Sequence, residues 1–147
     1  MMRDQDEAKT MYEELDEYLS GPFSTDYWYD EGVIFATETL RKFDKSDWEK
    51  LLCYILSKPR DWQIRFAYST ADINNEYVLE CLILLSGIEE DELFETCIDS
   101  LRVLLNSDSI SKISEDKAIK QRVERIMQKC DSITRKMFED FISKLKR

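Results

Sequence analysis

The chain has 147 residues and a formal net charge of −10, with 43% hydrophobic and 35% charged residues and no histidine. That composition belongs to a folded chain of about one domain and excludes Ser-His-Asp, Cys-His and histidine-ligated metal chemistry. Three glycines and two prolines are too few for the frequent turns of a many-stranded β fold, so an all-α fold is expected.

The charge is unevenly spread along the chain. Residues 1–100 hold 24 acidic and 9 basic side chains, and residues 101–147 hold 7 and 12. A stretch of that acidity repels nucleic acid and anionic membrane and attracts basic proteins. No run of eighteen apolar residues is present, and the start Met1-Met2-Arg3-Asp4-Gln5-Asp6-Glu7 has no apolar core of a secretory signal. A cytoplasmic protein is expected.

In chain order, the first helix is predicted from Asp4 to Leu19 and stopped by Ser20-Gly21-Pro22. The second, Asp26–Phe43, carries the stripe Tyr29, Val33, Ala36, Leu40, Phe43. Ser46-Asp47-Trp48-Glu49 matches a capping box and opens a third helix that closes before Pro59. Between Pro59 and Thr70 the pattern conflicts: Trp62, Ile64, Phe66 and Tyr68 alternate as in a strand. A lone strand has no partner there, so a helix is preferred. Asn74 or Asn75 caps Glu76–Ser86, which Gly87 ends. Glu89-Glu90-Asp91-Glu92 begins a helix burying Leu93, Phe94, Cys97, Ile98, Leu101, Leu104 and Leu105. Asn106–Ser114 reads as a polar connection and hinge. Ser114 then leads a helix with Ile119, Val123, Ile126 and Met127, and Asp131 caps a last one with Phe138 and Phe141.

Trp48–Thr70 and Tyr77–Leu105 look alike at an offset near thirty residues, the length of a two-helix repeat unit. Seven or eight antiparallel helices in one domain spanning 1–147 are expected, stacked as a short repeat or as an irregular bundle.

The four cysteines, Cys53, Cys81, Cys97 and Cys130, form no Cys-x-x-Cys pair. They read as small buried hydrophobes, and no metal or cofactor is expected. The three glycines stand alone, so no phosphate-binding loop is present. Catalysis by carboxylates alone would need loops over a pocket, and such loops are missing. An enzyme is not expected. Lys117, Lys120 and Arg125 mark a basic stripe near the C-terminus. It reads as a solvated face rather than a phosphate site, so no nucleic-acid partner is expected.

The segment Phe23-Ser24-Thr25-Asp26-Tyr27-Trp28-Tyr29-Asp30-Glu31 is the most unusual. Three adjacent aromatics on a helix cannot all face inward. Tyr29 is assigned to the core stripe, so Tyr27 or Trp28 should be at least partly exposed. An aromatic anchor rimmed by carboxylates suits a Lys/Arg-rich protein. The competing reading packs Trp28 against Phe35 or under the first helix. The candidate partner-binding residues are Asp26, Tyr27, Trp28, Asp30 and Glu31, with Trp28 first choice of anchor, and the acid run Glu89, Glu90, Asp91 and Glu92.

Asp47-Trp48-Glu49-Lys50-Leu51-Leu52, Trp62-Gln63-Ile64-Arg65-Phe66-Ala67 and Leu82-Ile83-Leu84-Leu85 give about sixty residues a resemblance to a known family. They resemble the short helical-repeat, HEAT-like immunity proteins of bacterial polymorphic-toxin and contact-dependent growth inhibition systems. The resemblance implies a cytoplasmic inhibitor, monomeric when free, that binds one cognate toxin, often a basic nuclease domain. The positive C-terminal region departs from a uniformly acidic inhibitor. A helical-repeat adaptor with no toxin partner is the alternative.

Overall fold

The computed structural model describes residues 9–146, and among these it is all-helical, 77% helix with no strand. Nine helices follow in chain order among the described residues. They are α1 (Met11–Leu19), α2, α3 (Lys45–Tyr54, with a 3-10 turn at Ile55–Ser57), α4 (Arg60–Ser69), α5 (Glu76–Ser86), α6 (Asp91–Val103), α7 (Ser107–Ser114), α8 (Lys117–Met127) and α9 (Ser132–Leu145). Helix α2 is continuous through Thr25–Tyr27, a π turn at Trp28–Gly32, and Val33–Arg41. None of these helices is long and apolar enough to cross a membrane.

The caps explain where prediction and structure part. Helix α1 starts at a capping box between Thr10 and Glu13; the earlier start at Asp4 lies outside the described residues. Helix α3 is capped by Asp44, not Ser46: Asp44 accepts the Asp47 amide and Asp47 accepts the Asp44 amide. Asp47 is buried because its other oxygen also takes the Tyr12 amide, 3.1 Å away. Residues 106–114 are a helix rather than a hinge. Asn106 accepts the amides of Asp108 and Ser109, and the Ser109 hydroxyl accepts the Asn106 amide. The next helix is accordingly capped by Asp116, not led by Ser114. In α4, Trp62, Phe66 and Ser69 are buried at helical spacing with Gln63, Ala67 and Thr70 beside them, while Tyr68 is exposed. The strand-like alternation there belongs to a helix covered on most sides.

The chain falls into two compact units, the first ending at Thr70 and the second beginning at Ala71. In the first, α1 packs on α2, α3 and α4, and α2 packs on α4. Its core holds Leu15, Leu19, Trp28, Leu40, Leu51, Ile55, Trp62 and Phe66. Asp16 joins α1 to α4: its Oδ1 accepts from Lys58 Nζ at 2.7 Å and from Trp62 Nε1 at 3.0 Å. In the second unit α5 and α6 form a closely packed hairpin, α9 packs on α6, and α7 and α8 pack on α9. Helices α3 and α4 approach each other less closely than that hairpin does. Arg102 ties α6 to α9 through Asp140, 2.9 Å away.

The unit boundary does not follow the charge. Counted over the sequence, the first unit holds 15 acidic and 9 basic residues and the second 16 and 12. The net charges are therefore −6 and −4, and the acidic stretch 1–100 is not one surface.

Candidate functional site

The site is built by two glycines and a π turn. Ser20-Gly21-Pro22 ends α1, and a Cβ on Gly21 would stand 2.9 Å from the Phe23 ring. Glycine there lets Phe23 fold back over the helix end. Ser24 caps α2 by accepting the Tyr27 amide at 3.1 Å. The Val33 amide then reaches back to the Trp28 carbonyl, which places one extra residue in that turn. Eight residues separate Trp28 from Ala36, but with the extra residue they span two helical turns. Trp28 therefore lines up with buried Ala36 and Leu40, where the stripe counted from Tyr29 had been expected. A Cβ on Gly32 would meet Trp28 Cε3 at 2.6 Å, so only glycine admits the ring.

This corrects two assignments. Tyr29 is outside the core, 43% exposed and edge-on to Tyr68, with ring centroids 4.8 Å apart. Trp28, the first-choice anchor, is 4% exposed and packs beneath Tyr18 and Phe23. Tyr27, like Tyr29, is turned outward, at 40% exposure.

Tyr27 does not stand alone. Its ring stacks on Phe23 at 5.2 Å, Phe23 contacts Tyr18 at 4.8 Å, and Tyr18 contacts Phe35 at 4.3 Å. The Tyr18 and Tyr27 hydroxyls share a hydrogen bond of 3.3 Å. Four rings thus form one platform, its Phe35 end 44% exposed. Burial, then the Tyr27 hydroxyl and the charge of Glu31, push the Tyr18 phenol up to about 12, so it stays neutral at physiological pH. Arg65 holds the platform from behind. Its Nη1 donates to the carbonyls of Leu19 (2.9 Å) and Gly21 (2.7 Å), and its guanidinium lies 5.3 Å from the Phe23 ring and 5.6 Å from Trp28. Asp26, Asp30 and Glu31 are exposed on the same helix, and Glu31 is near enough to act on the Tyr18 hydroxyl. Contiguous exposed aromatics with a polar rim mark interaction surfaces.

The acid run of the second unit is differently employed. Glu90 caps α6, accepting the Leu93 amide at 3.0 Å. Glu89 faces Arg122 (4.0 Å) and Arg125 (3.7 Å), and Asp91 faces Arg122 (3.6 Å) and Lys129 (3.9 Å). Glu92 is exposed in the first turn of α6. Arg122, Arg125 and Lys129 are therefore counter-charges of this acid run, while Lys117 and Lys120 of the basic stripe are exposed. The four are not brought together with Asp26, Tyr27, Asp30 and Glu31 in one unit.

Tyr18, Phe23, Phe35 and Arg65 complete the platform and were not among the candidate site residues. The signal for Phe23 was Gly21, two positions earlier in a glycine-poor chain. Of the cysteines, Cys81 and Cys97 are buried in α5 and α6, and burial pushes both thiols up, Cys81 to about 12. Cys53 is exposed, against expectation, because it lies on the outer side of α3 from buried Trp48, Leu51 and Ile55.

A hollow of about 230 Å³ lies between the starts of α5 and α7, lined by Glu76, Asp108 and Lys112. Its asparagines Asn75 and Asn106 are engaged as helix caps. Among the described residues, no group of three or more Cys, Asp or Glu is placed to hold a metal ion. No protein-family model, curated protein or solved structure matches the chain.

Proposed function

We propose that this is a binding protein rather than an enzyme, and that it docks a basic protein domain on the aromatic platform of its first unit. The observation that carries the reading is the contiguous Tyr18–Phe23–Tyr27–Phe35 ring cluster, exposed at Tyr27 and Phe35, with the exposed carboxylates Asp26, Asp30 and Glu31 on the same helix. Aromatic anchors supply interface energy, and a surrounding negative field speeds encounter with a positive partner. Within that class we read the protein as a cytoplasmic immunity protein. It would neutralise a cognate toxin domain, a basic nuclease, by laying carboxylates against the Lys/Arg of its active site. The helices would act as a short HEAT-like stack, a reading supported by the close α5–α6 hairpin. No nucleic acid is read among the partners, a reading supported by the net charge of −10 and by Arg122, Arg125 and Lys129, which already face Glu89 and Asp91.

The test uses the C-terminal domain encoded directly upstream of this gene, co-expressed and purified with the full chain. A stable stoichiometric complex that abolishes the domain's toxicity is expected. Raising salt from about 50 to about 500 mM should slow association tenfold or more while changing dissociation far less. Tyr27→Ala should weaken binding by about 2 kcal/mol, and Asp30→Asn by under about 1 kcal/mol. An acidic partner, or docking confined to α8 and α9, would overturn the reading. A partner with no toxicity to neutralise would instead favour a helical adaptor.

A further inference from the structure

The platform has the chemistry of a receptor for one kind of side chain. Successive rings, Tyr27–Phe23–Tyr18–Phe35, lie 4.3 to 5.2 Å apart, with Tyr27 and Phe35 open to solvent, so the negative π faces of those two are available to a cation. The two phenol oxygens stand 3.3 Å apart. One donates to the other, which leaves lone pairs on both for an incoming donor. Glu31 is near enough to act on the Tyr18 hydroxyl electrostatically, and Asp26 adjoins Tyr27 in the same turn of α2. A flat cation with several in-plane donors can stack on a ring, donate to a phenol and meet a carboxylate at once. A compact ammonium cannot do all three. Phe23 already has such a neighbour in Arg65, whose guanidinium lies over it while donating to carbonyls.

We infer that the Tyr18–Phe23–Tyr27–Phe35 face receives an arginine side chain of the basic partner, its guanidinium stacked on a ring and turned toward Glu31 and Asp26. This rests on the reading of the face as the docking surface. It adds that arginine, not positive charge in general, is what the face selects.

The probes are acetylated hexa-arginine amide and hexa-lysine amide, titrated calorimetrically into the full chain at about 50 mM salt. Hexa-arginine should bind about fivefold or more tighter. Replacing Tyr27→Leu and Phe35→Leu together should bring that ratio near one, with hexa-arginine losing more affinity than hexa-lysine, whereas Tyr27→Phe should retain most of it. Equal affinities in the unaltered chain, or a ratio that survives the double substitution, would overturn the inference. A second measurement needs no variant: ring signals of Tyr18, Tyr27 and Phe35 in NMR spectra should shift with hexa-arginine. Shifts confined to the Glu89–Glu92 turn, or none, would also overturn it. Equal, salt-sensitive binding of both peptides beside an intact toxin complex would remove the arginine preference and leave the docking reading in place. Loss of the toxin complex with the peptide ratio preserved would do the reverse.

Discussion

Arg65 in the first unit and Arg122 in the second perform the same local task in opposite surroundings. Each reaches from a later helix to the end of an earlier one and, through Nη1, donates to two carbonyls two residues apart; Arg65 Nη2 also donates to the Phe23 carbonyl at 3.5 Å. Arg65 takes Leu19 and Gly21 at the end of α1, and Arg122 takes Ser86 (3.1 Å) and Ile88 (2.6 Å) at the end of α5. Both guanidiniums also lie over aromatic rings, Arg122 4.4 Å from Phe94. Such a clamp satisfies carbonyls that a helix end leaves open and places a cation at the negative end of the dipole. The surroundings then differ. Arg122 is 5% exposed, with its Nε and Nη2 buried and unbonded and Glu89 and Asp91 beyond hydrogen-bond reach. Arg65 is half-buried, and the ring cluster it supports opens to solvent at Tyr27 and Phe35. One clamp closes a core, and the other supports a surface.

The largest expected effect follows from that contrast. Arg122→Leu should cost about 3–5 kcal/mol, because a buried charge and the two carbonyls it serves lose each other together. Arg65→Leu should cost about 1–2 kcal/mol, since water can reach the freed carbonyls. All three tryptophans, Trp28, Trp48 and Trp62, lie in the first unit, so urea unfolding followed by fluorescence reads that unit and circular dichroism reads both. In Arg122→Leu the dichroism transition should move to lower urea by more than the fluorescence transition. Equal costs for the two substitutions would break the comparison.

Alkaline pH should separate the units next. In the second unit, burial holds the Cys81 thiol up to about 12 from an ordinary 9.0, and burial raises Cys97 as well. In the first, burial and then Tyr27 hold Tyr18 up to about 12 from 10.0. Each group keeps its proton when folded and releases it sooner when unfolded. The stability it contributes is whole below the unfolded pKa and is lost as pH rises toward the folded one. Thermal melts should therefore begin to fall near pH 9 and steepen above pH 10. Cys97→Ala should flatten the first part of that decline and Tyr18→Phe the second. A melting temperature constant from pH 8 to 11 would refute the assignment.

How far the sequence was legible depends on the range over which each feature is determined. Helix α6 was readable because its burial of Leu93, Phe94, Cys97, Ile98 and Leu101 follows a local period. Helix α7 was not, because Asn106, Ser107 and Ser109 are the residues of loops and of caps alike, and only the bonds made decide between them. The register of α2 was lost at the π turn, which follows from how Trp28 sits against Gly32 and α1, not from propensity. Half of the site was visible: adjacent aromatics amid carboxylates required an outward ring. Which ring it is, and that Tyr18 and Phe35 join it, depends on how α1 packs on α2. The acid run was legible as a helix start, but its counter-charges, Arg125 on α8 and Lys129 just past it, lie more than thirty residues further on.

The smallest effects compare two glycines. Gly32→Ala would bring a methyl within 2.6 Å of a ring that is 4% exposed and cannot swing aside, so it should cost about 1–3 kcal/mol. Gly87 ends α5 with φ −80° and ψ −11°, open to any residue, and the nearest atom to an added Cβ is the Leu84 carbonyl oxygen at 3.4 Å. Gly87→Ala should therefore stabilise by about 0.4–1 kcal/mol, by restricting the unfolded chain. Denaturant titration of the two variants decides the matter. If Gly32→Ala were neutral, Trp28 would be free to shift and the π turn would not be held by that contact. The outward placement of Tyr27, on which the platform depends, would then have to come from the Tyr18 hydrogen bond and the Phe23 stack alone.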